Sequence, residues 1–279
     1  MAEPRRDESP ERPTDPSPIA LGDGDAGVVV LHGLTGTPYE IRPVAEALAG
    51  AGFAVRGPLL PGHEDLAALE HATWRGWYDA AEAEFEALRD GGRRPVVVVG
   101  FSMGSLLALR IGALRPRELA GVVAAAVPLS LPVWQQRAIG AMSRLRTNRW
   151  VGGLVGTLAK HGPDVRVADE VRRSPSLQGL PYPALEQLVG LQHEVDGLLE
   201  LVRAPLLLLH GRYDHVAPSE LSARVAQRVA SAEVTRVVLG NSFHILALDL
   251  DRERVCAEVV AFARRHLPSP PQVPRPEPS

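Results

Sequence analysis

Apolar positions in this chain fall into two rhythms. Short unbroken runs occur at residues 28–32, 54–56, 96–100, 121–127, 206–210 and 236–239. They are rich in Val, Leu and Ala and do not alternate with polar residues, the pattern of a strand covered on both faces of a parallel sheet. Between them lie stretches with helical spacing. Thr37-Pro38-Tyr39-Glu40 reads as an N-cap, a first-turn proline and a capping-box glutamate, opening a helix to about Ala49. Thr73 is placed to cap a helix whose Trp74, Trp77, Ala81, Phe85 and Leu88 share one face, most simply a core face. Further helices are expected at 103–114, 184–201, 219–230 and 251–266. A short segment at 19–21 before Gly22-Asp23-Gly24-Asp25 could add an antiparallel edge hairpin.

Strands alternating with helices predict an α/β fold with a doubly wound, mostly parallel sheet. One interval breaks the rhythm. Nearly 80 residues separate the runs at 121–127 and 206–210, far more than one crossover helix needs. The surplus, about 131–183, reads as an inserted helical cap. Its Leu131, Val133, Trp134, Ile139, Met142, Leu145, Trp150, Val151, Leu154, Val155 and Leu158 exceed what a small lid needs for itself, and some are expected to line an apolar groove. Its arginines 137, 144, 146, 149, 166, 172 and 173 are read as a solvated face.

Composition narrows the picture. At 279 residues with 45% hydrophobic content, the chain suits one large α/β domain. Eleven of the 25 prolines fall in residues 1–18 and 268–279, so both tails are expected to be disordered around a folded body at 19–267. A net charge of −3 offers no electrostatic footprint for nucleic acid. The single cysteine, Cys256, excludes an intrachain disulfide and a thiolate metal site, and reads as a core residue. No apolar segment follows Arg5 and Arg6 as a secretory signal would require, and Pro128 and Pro132 break the longest uncharged run. A cytoplasmic protein is expected. Only one of the 30 basic residues, Lys160, is lysine; this reads as a bias of the encoding genome.

Chemistry concentrates at strand ends. Gly100-Phe101-Ser102-Met103-Gly104 follows an apolar run and opens a helix, the context that gives G-x-S-x-G its meaning: a tight turn exposes the serine hydroxyl above the sheet edge. A serine needs a base, and His244 stands just after the last run, at the sheet edge where α/β sites collect. A base needs a carboxylate to fix its tautomer. Asp214, in the loop after run 206–210, is preferred; Asp249 and Asp251 are rivals that read more naturally as helix-start residues. The order Ser102, Asp214, His244 is that of α/β-hydrolases. The amides of Met103 and of Leu34, within Leu31-His32-Gly33-Leu34-Thr35-Gly36, are the candidate oxyanion donors.

Together with Tyr213-Asp214-His215-Val216-Ala217-Pro218, Pro61-Gly62-His63 and Asn241-Ser242-Phe243-His244, these motifs resemble bacterial monoacylglycerol lipases and small carboxylesterases over about residues 19–267. The resemblance implies hydrolysis of carboxylic esters of single acyl chains, monoacylglycerol among them, with nucleophile Ser102, acid Asp214, base His244 and oxyanion amides at Leu34 and Met103. It implies no metal or organic cofactor, and a small mobile cap with transient contact to a lipid surface left open. Two departures stand out. Ser105 replaces a second glycine after the elbow, and the cap is long and arginine-rich. The same triad also serves acyltransferases, thioesterases and peptidases, and the fold hosts non-catalytic binding proteins.

Overall fold

The computed structural model describes residues 14–92, 95–150, 152–160 and 162–267. Most of both proline-rich tails lies outside the described residues. Seven strands form the main sheet: β1 (Ile19–Leu21), β2 (Gly27–Leu31), β3 (Ala54–Gly57), β4 (Val96–Phe101), β5 (Leu119–Ala125), β8 (Leu206–Gly211) and β9 (Val234–Leu239). The order is β1-β3-β2-β4-β5-β8-β9, with every pairing parallel except β1 with β3. β1 is thus an antiparallel edge strand, but not in a hairpin with the next strand. It crosses to β3, pairing Ile19 with Gly57 and Leu21 with Val55.

The unbroken apolar runs have a direct physical cause. Val28, Val30, Val97, Val99, Val123, Ala125, Leu207 and Leu209 point into one core, packed by α1 (Pro38–Gly50) and α9 (Arg252–His266). Val29, Leu31, Val96, Val98, Val122, Ala124, Leu206 and Leu208 point into the other. That second core is packed by α3 (Trp74–Asp90), α4 (Met103–Leu114), α7 (Tyr182–Leu198) and α8 (Glu220–Arg228). On the central strands β2, β4, β5 and β8 both faces are covered, so a polar residue there needs a partner; the edge strand β9 keeps exposed positions. Thr73 caps α3 as expected, accepting the Gly76 amide at 3.1 Å, and Trp74, Trp77, Ala81, Phe85 and Leu88 are buried. A short α2 (Leu66–His71), capped by Asp65, was not expected; at six residues it carries too little periodicity to announce itself.

The interval between β5 and β8 holds α5 (Val133–Thr147), a two-stranded antiparallel pair of β6 (Leu158–Ala159) and β7 (Gly179–Leu180), and α6 (Ala168–Arg173) between those two strands. Its polar groups reach loops at the carboxyl ends of the strands, Lys160 to Thr35 and Asp164 to His215 and His244. Among the described residues, no helix is long and apolar enough to cross a membrane.

Candidate active site

Ser102 sits between β4 and α4 with φ +52° and ψ −123°. That left-handed backbone is strained for a residue with a Cβ and persists only where neighbours over-determine it. They do so here. Its N–H donates to the Ala125 carbonyl at 2.8 Å, and its carbonyl accepts the Ser105 amide at 2.8 Å and the Ser105 hydroxyl at 2.6 Å. Ser105, one of the departures from the family pattern, is therefore a buried brace of the turn. The flanks must be glycine: a Cβ on Gly100 would fall 2.0 Å from the Gly104 carbonyl oxygen, and one on Gly104 2.4 Å from that of Leu31.

His244 lies in the loop after β9, with Nε2 at 2.8 Å from Ser102 Oγ and Nδ1 at 2.8 Å from Asp214 Oδ2. An ionised carboxylate only accepts, so Nδ1–H donates to Asp214 and Nε2 is left to accept the serine proton. Asp214 Oδ1 accepts the amides of Val216 and Ala217 at 2.9 and 2.8 Å. Burial opposes its ionisation, but the charge His244 can carry and hydrogen bonds from His210, His244 and Ala217 outweigh it, holding the carboxyl well below the usual carboxylate range.

The rival carboxylates do other work. Asp249 accepts the amides of Phe243 at 2.7 Å and Arg166 at 3.0 Å. Asp251 accepts the Asn241 amide and the Ser242 hydroxyl, both at 2.8 Å. Asp251 does precede α9, yet makes no side-chain cap to it. Both side chains brace the loop that carries His244, because a loop packed against the body has amides to satisfy and no strand to satisfy them. Asp251 also starts α9 as expected, through its carbonyl, which accepts the Val255 amide at 2.9 Å.

A cavity of about 260 Å³ opens beside Ser102 and His244, walled by Leu34, Phe101, Leu131, Leu185 and Leu188. Of the described cap residues expected to line a groove, Leu131 alone lines this cavity, while Val133 and Ile139 border a separate hollow against α7. Val133, Trp134, Leu145, Trp150 and Leu158 are exposed instead, and Leu180 with α7 supplies the apolar wall. Met103 is fully buried beneath the site. The amides of Leu34 and Met103, the expected oxyanion donors, donate to no other described residue.

Residues 22–251 match the sequence profile of the serine aminopeptidase S33 family. The chain belongs to that family of α/β-hydrolases. The hydrolase is 29% identical over 253 residues to a thermostable monoacylglycerol lipase of Bacillus sp. (strain H-257), covering 89% of this chain and 94% of that one. It is 22% identical to a carboxylesterase of Bacillus subtilis (strain 168), covering 90% and 97%. A solved structure from work on LipS and LipT, two metagenome-derived lipolytic enzymes, superposes with a TM-score of 0.81 at 27% identity, covering 90% of this chain and 98% of that one. The hydrolase is thus a serine hydrolase of the lipase and esterase group.

Several polar residues of the site escaped sequence reasoning, three of them beside the relay and in the cavity. His210, at the end of β8, places Nε2 3.2 Å from Asp214 Oδ2 and 2.8 Å from the Ala217 carbonyl oxygen; both are acceptors, so it donates. Its signal was a histidine closing the strand four residues before the acid. Glu40 is the second. Helix α1 begins at Pro38 as expected, but there is no capping box. Thr37 makes no side-chain cap, and Glu40 folds over Gly36, where a Cβ would meet its Oε2 at 2.2 Å. It lines the cavity, 7% exposed, with Oε1 unpartnered among the described residues. Lys160 is the third. It reaches in from the cap and donates to Thr35 Oγ1 at 2.8 Å. Burial pushes the Glu40 carboxyl up and the Lys160 ammonium down, each opposed by the other's charge. The overlooked signal was in the composition. Where arginine has taken nearly every basic position, the one lysine stands in the active-site cavity.

Proposed function

We propose that the hydrolase cleaves carboxylic esters of single acyl chains, monoacylglycerol included, through an acyl-enzyme on Ser102. One observation carries this reading: the Ser102–His244–Asp214 relay, at 2.8 Å for each link, opens on an apolar cavity. His244 Nε2 takes the hydroxyl proton as Ser102 Oγ adds to the ester carbonyl carbon. The carbonyl electron pair moves onto oxygen, facing the Leu34 and Met103 amides. Collapse breaks the bond to the alcohol, which leaves with the proton from His244. Water then repeats the sequence and releases the acid. Asp214 stays ionised throughout, holding the imidazole and stabilising its charged form.

The alcohol side is supported by Lys160 and Glu40. A hydroxyl can accept from the ammonium and donate to the carboxylate with one oxygen, which suits a polyol leaving group. The Bacillus monoacylglycerol lipase agrees in name with that class. The family description as an aminopeptidase raises a second reading. Lys160 would repel an α-ammonium while Glu40 in the same cavity would attract it, so the choice falls to the assay: an aminoacyl 7-amido-coumarin should be left uncut where p-nitrophenyl butyrate is cleaved.

A fluorophosphonate probe should label Ser102, and Ser102→Ala should abolish labelling and turnover. An adduct mapped to another serine sinks the reading. Each methylene buried in the cavity contributes at most about 0.8 kcal/mol, so kcat/KM should climb from acetate esters to an optimum of medium chain length. Mono-oleoylglycerol should be cleaved and trioleoylglycerol scarcely. A maximum at acetate without monoacylglycerol cleavage would leave an esterase and reject the lipase half.

A further inference from the structure

Asp164 belongs to the cap, between β6 and α6, and the chemistry above makes no use of it. Its contacts nonetheless run to the two loops that carry the acid and the base. Oδ2 accepts the backbone N–H of His244 at 3.2 Å and that of His215, the residue after Asp214, at 3.1 Å. Oδ1 lies 2.8 Å from Nδ1 of His215, whose ring packs edge-on against Phe243. The Asp164 carbonyl accepts the amide of Ile245 at 3.1 Å. Within the body these two loops meet at their roots through the Arg212 amide and the Leu239 carbonyl at 2.8 Å, and further along through the Tyr213 amide and the Ser242 carbonyl at 3.3 Å. One cap residue therefore bridges them through both its carbonyl and its carboxylate, and a carboxylate is the stronger kind of acceptor.

We infer that Asp164 is a positioning residue: it holds the His244 backbone against the Asp214 loop so that both links of the relay keep their reacting length. The return limb of the cap is then a member of the catalytic frame. The inference rests on the reading of Ser102, His244 and Asp214 as the reacting groups. Its physical basis is that a displacement on the order of 1 Å at a reacting group costs about a hundredfold in rate.

The test uses the full-length chain, p-nitrophenyl butyrate as substrate and fluorophosphonate titration to count active sites. Asp164→Ala leaves two amides without their acceptor; kcat per titrated site should fall roughly a hundredfold, with KM changed by no more than about threefold. Asp164→Asn keeps an oxygen for both amides and an amide group opposite His215 Nδ1, so it should retain most of the wild-type kcat. Wild-type kcat per titrated site in Asp164→Ala would overturn the inference, as would equal damage in both variants, since charge and not the hydrogen-bonded position would then be at work. Should Asp164→Ala fold poorly, titration still reports the sites that remain. His215→Ala keeps the bond to the His244 amide and should lose far less; a loss as large as that of Asp164→Ala would also count against the inference. Absence of labelling at Ser102 in the wild type would instead sink the triad reading.

Discussion

The two limbs of the cap come from one insertion and are held in opposite ways. The outgoing limb is α5 and the turn after it. Within α5 only Ser143 is buried, while Val133, Trp134, Leu145 and Trp150 face solvent. Its ties run sideways: Ser143 to Glu186 on α7, and Arg146 to Glu70 on α2 at 2.7 and 2.9 Å. The return limb, from β6 to β7, buries Val165, Glu170 and Ser176. Its ties run inward to the loops of the site. Lys160 bonds Thr35, Asp164 bonds the His215 and His244 loops, Arg166 donates to the Asn241 carbonyl, and Leu177 N–H donates to the Thr35 carbonyl at 2.9 Å. Thr35 has φ +63°, so two of these ties hold the strained residue beside the Leu34 amide. Hydrophobicity along the insertion does not separate the limbs; the destination of their polar groups does.

The largest expected effect contrasts the anchors of the two limbs. Glu170 is buried and accepts the Tyr39 hydroxyl of α1 at 2.6 Å. Glu170→Ala removes that buried hydrogen bond, at a cost of about 1–3 kcal/mol. In a domain of this size that is roughly 2–4 °C of melting temperature per kcal/mol. Trp134→Ala and Trp150→Ala, at exposed positions of the outgoing limb, should each stay within about 0.5 kcal/mol. Thermal unfolding of the three variants checks the contrast, and a larger loss from either tryptophan would reverse it.

A smaller effect should appear without mutation. The amides of Leu177, His244 and Ile245 end on acceptors that link the return limb to the body. Those of Trp150, Gly152 and Val155 bond only within their own turn. Native-state hydrogen exchange should therefore be about tenfold or more slower in the first group, because opening it requires breaking contacts across two elements. Equal rates would mean that the cap opens as one body.

The contrast also marks what the sequence could show. Val96 to Val99, buried on both faces, announced a central strand, and the glycines around Ser102 announced the turn, because backbone sterics and burial act on residues close in the chain. Position in the fold was harder. The pairing of Ile19 with Gly57 leaves no local pattern, because β3 lies more than thirty residues beyond the strand it joins. Glu40 has the spacing of a capping box, yet tertiary space over Gly36 claims its carboxyl. Asp164 carries no local signature: the amides it accepts, of His215 and His244, are brought near by folding over 51 and 80 residues. Asp249 ties the nearby Phe243 amide to that of Arg166, 83 residues away.

Glu40 supplies the smallest and most specific test. Burial, opposed by Lys160 and His244, raises its folded-state pKa above the unfolded value of about 4.3. The sign follows by linkage. Below about pH 4.3 the carboxyl is protonated in both states and its interactions favour the fold. As pH rises through the raised folded value, that stability is lost, because the unfolded chain releases the proton more readily. Glu40→Gln stays neutral at every pH and escapes the loss. Its melting temperature relative to the wild type should therefore rise between about pH 4 and pH 8, most steeply just above the normal carboxylate range. Buried His32 is the internal control. Burial lowers its pKa, so its stability is present above about pH 6.5 and lost as pH falls, a trend that Glu40→Gln should leave untouched. A stabilised variant at pH 8 that also binds monoacylglycerol less well, with p-nitrophenyl butyrate turnover preserved, would show stability given up for recognition of the alcohol. A variant less stable at pH 8 than at pH 4, each relative to wild type, would place Glu40 among the fasteners of the fold and remove it from the substrate cavity's chemistry.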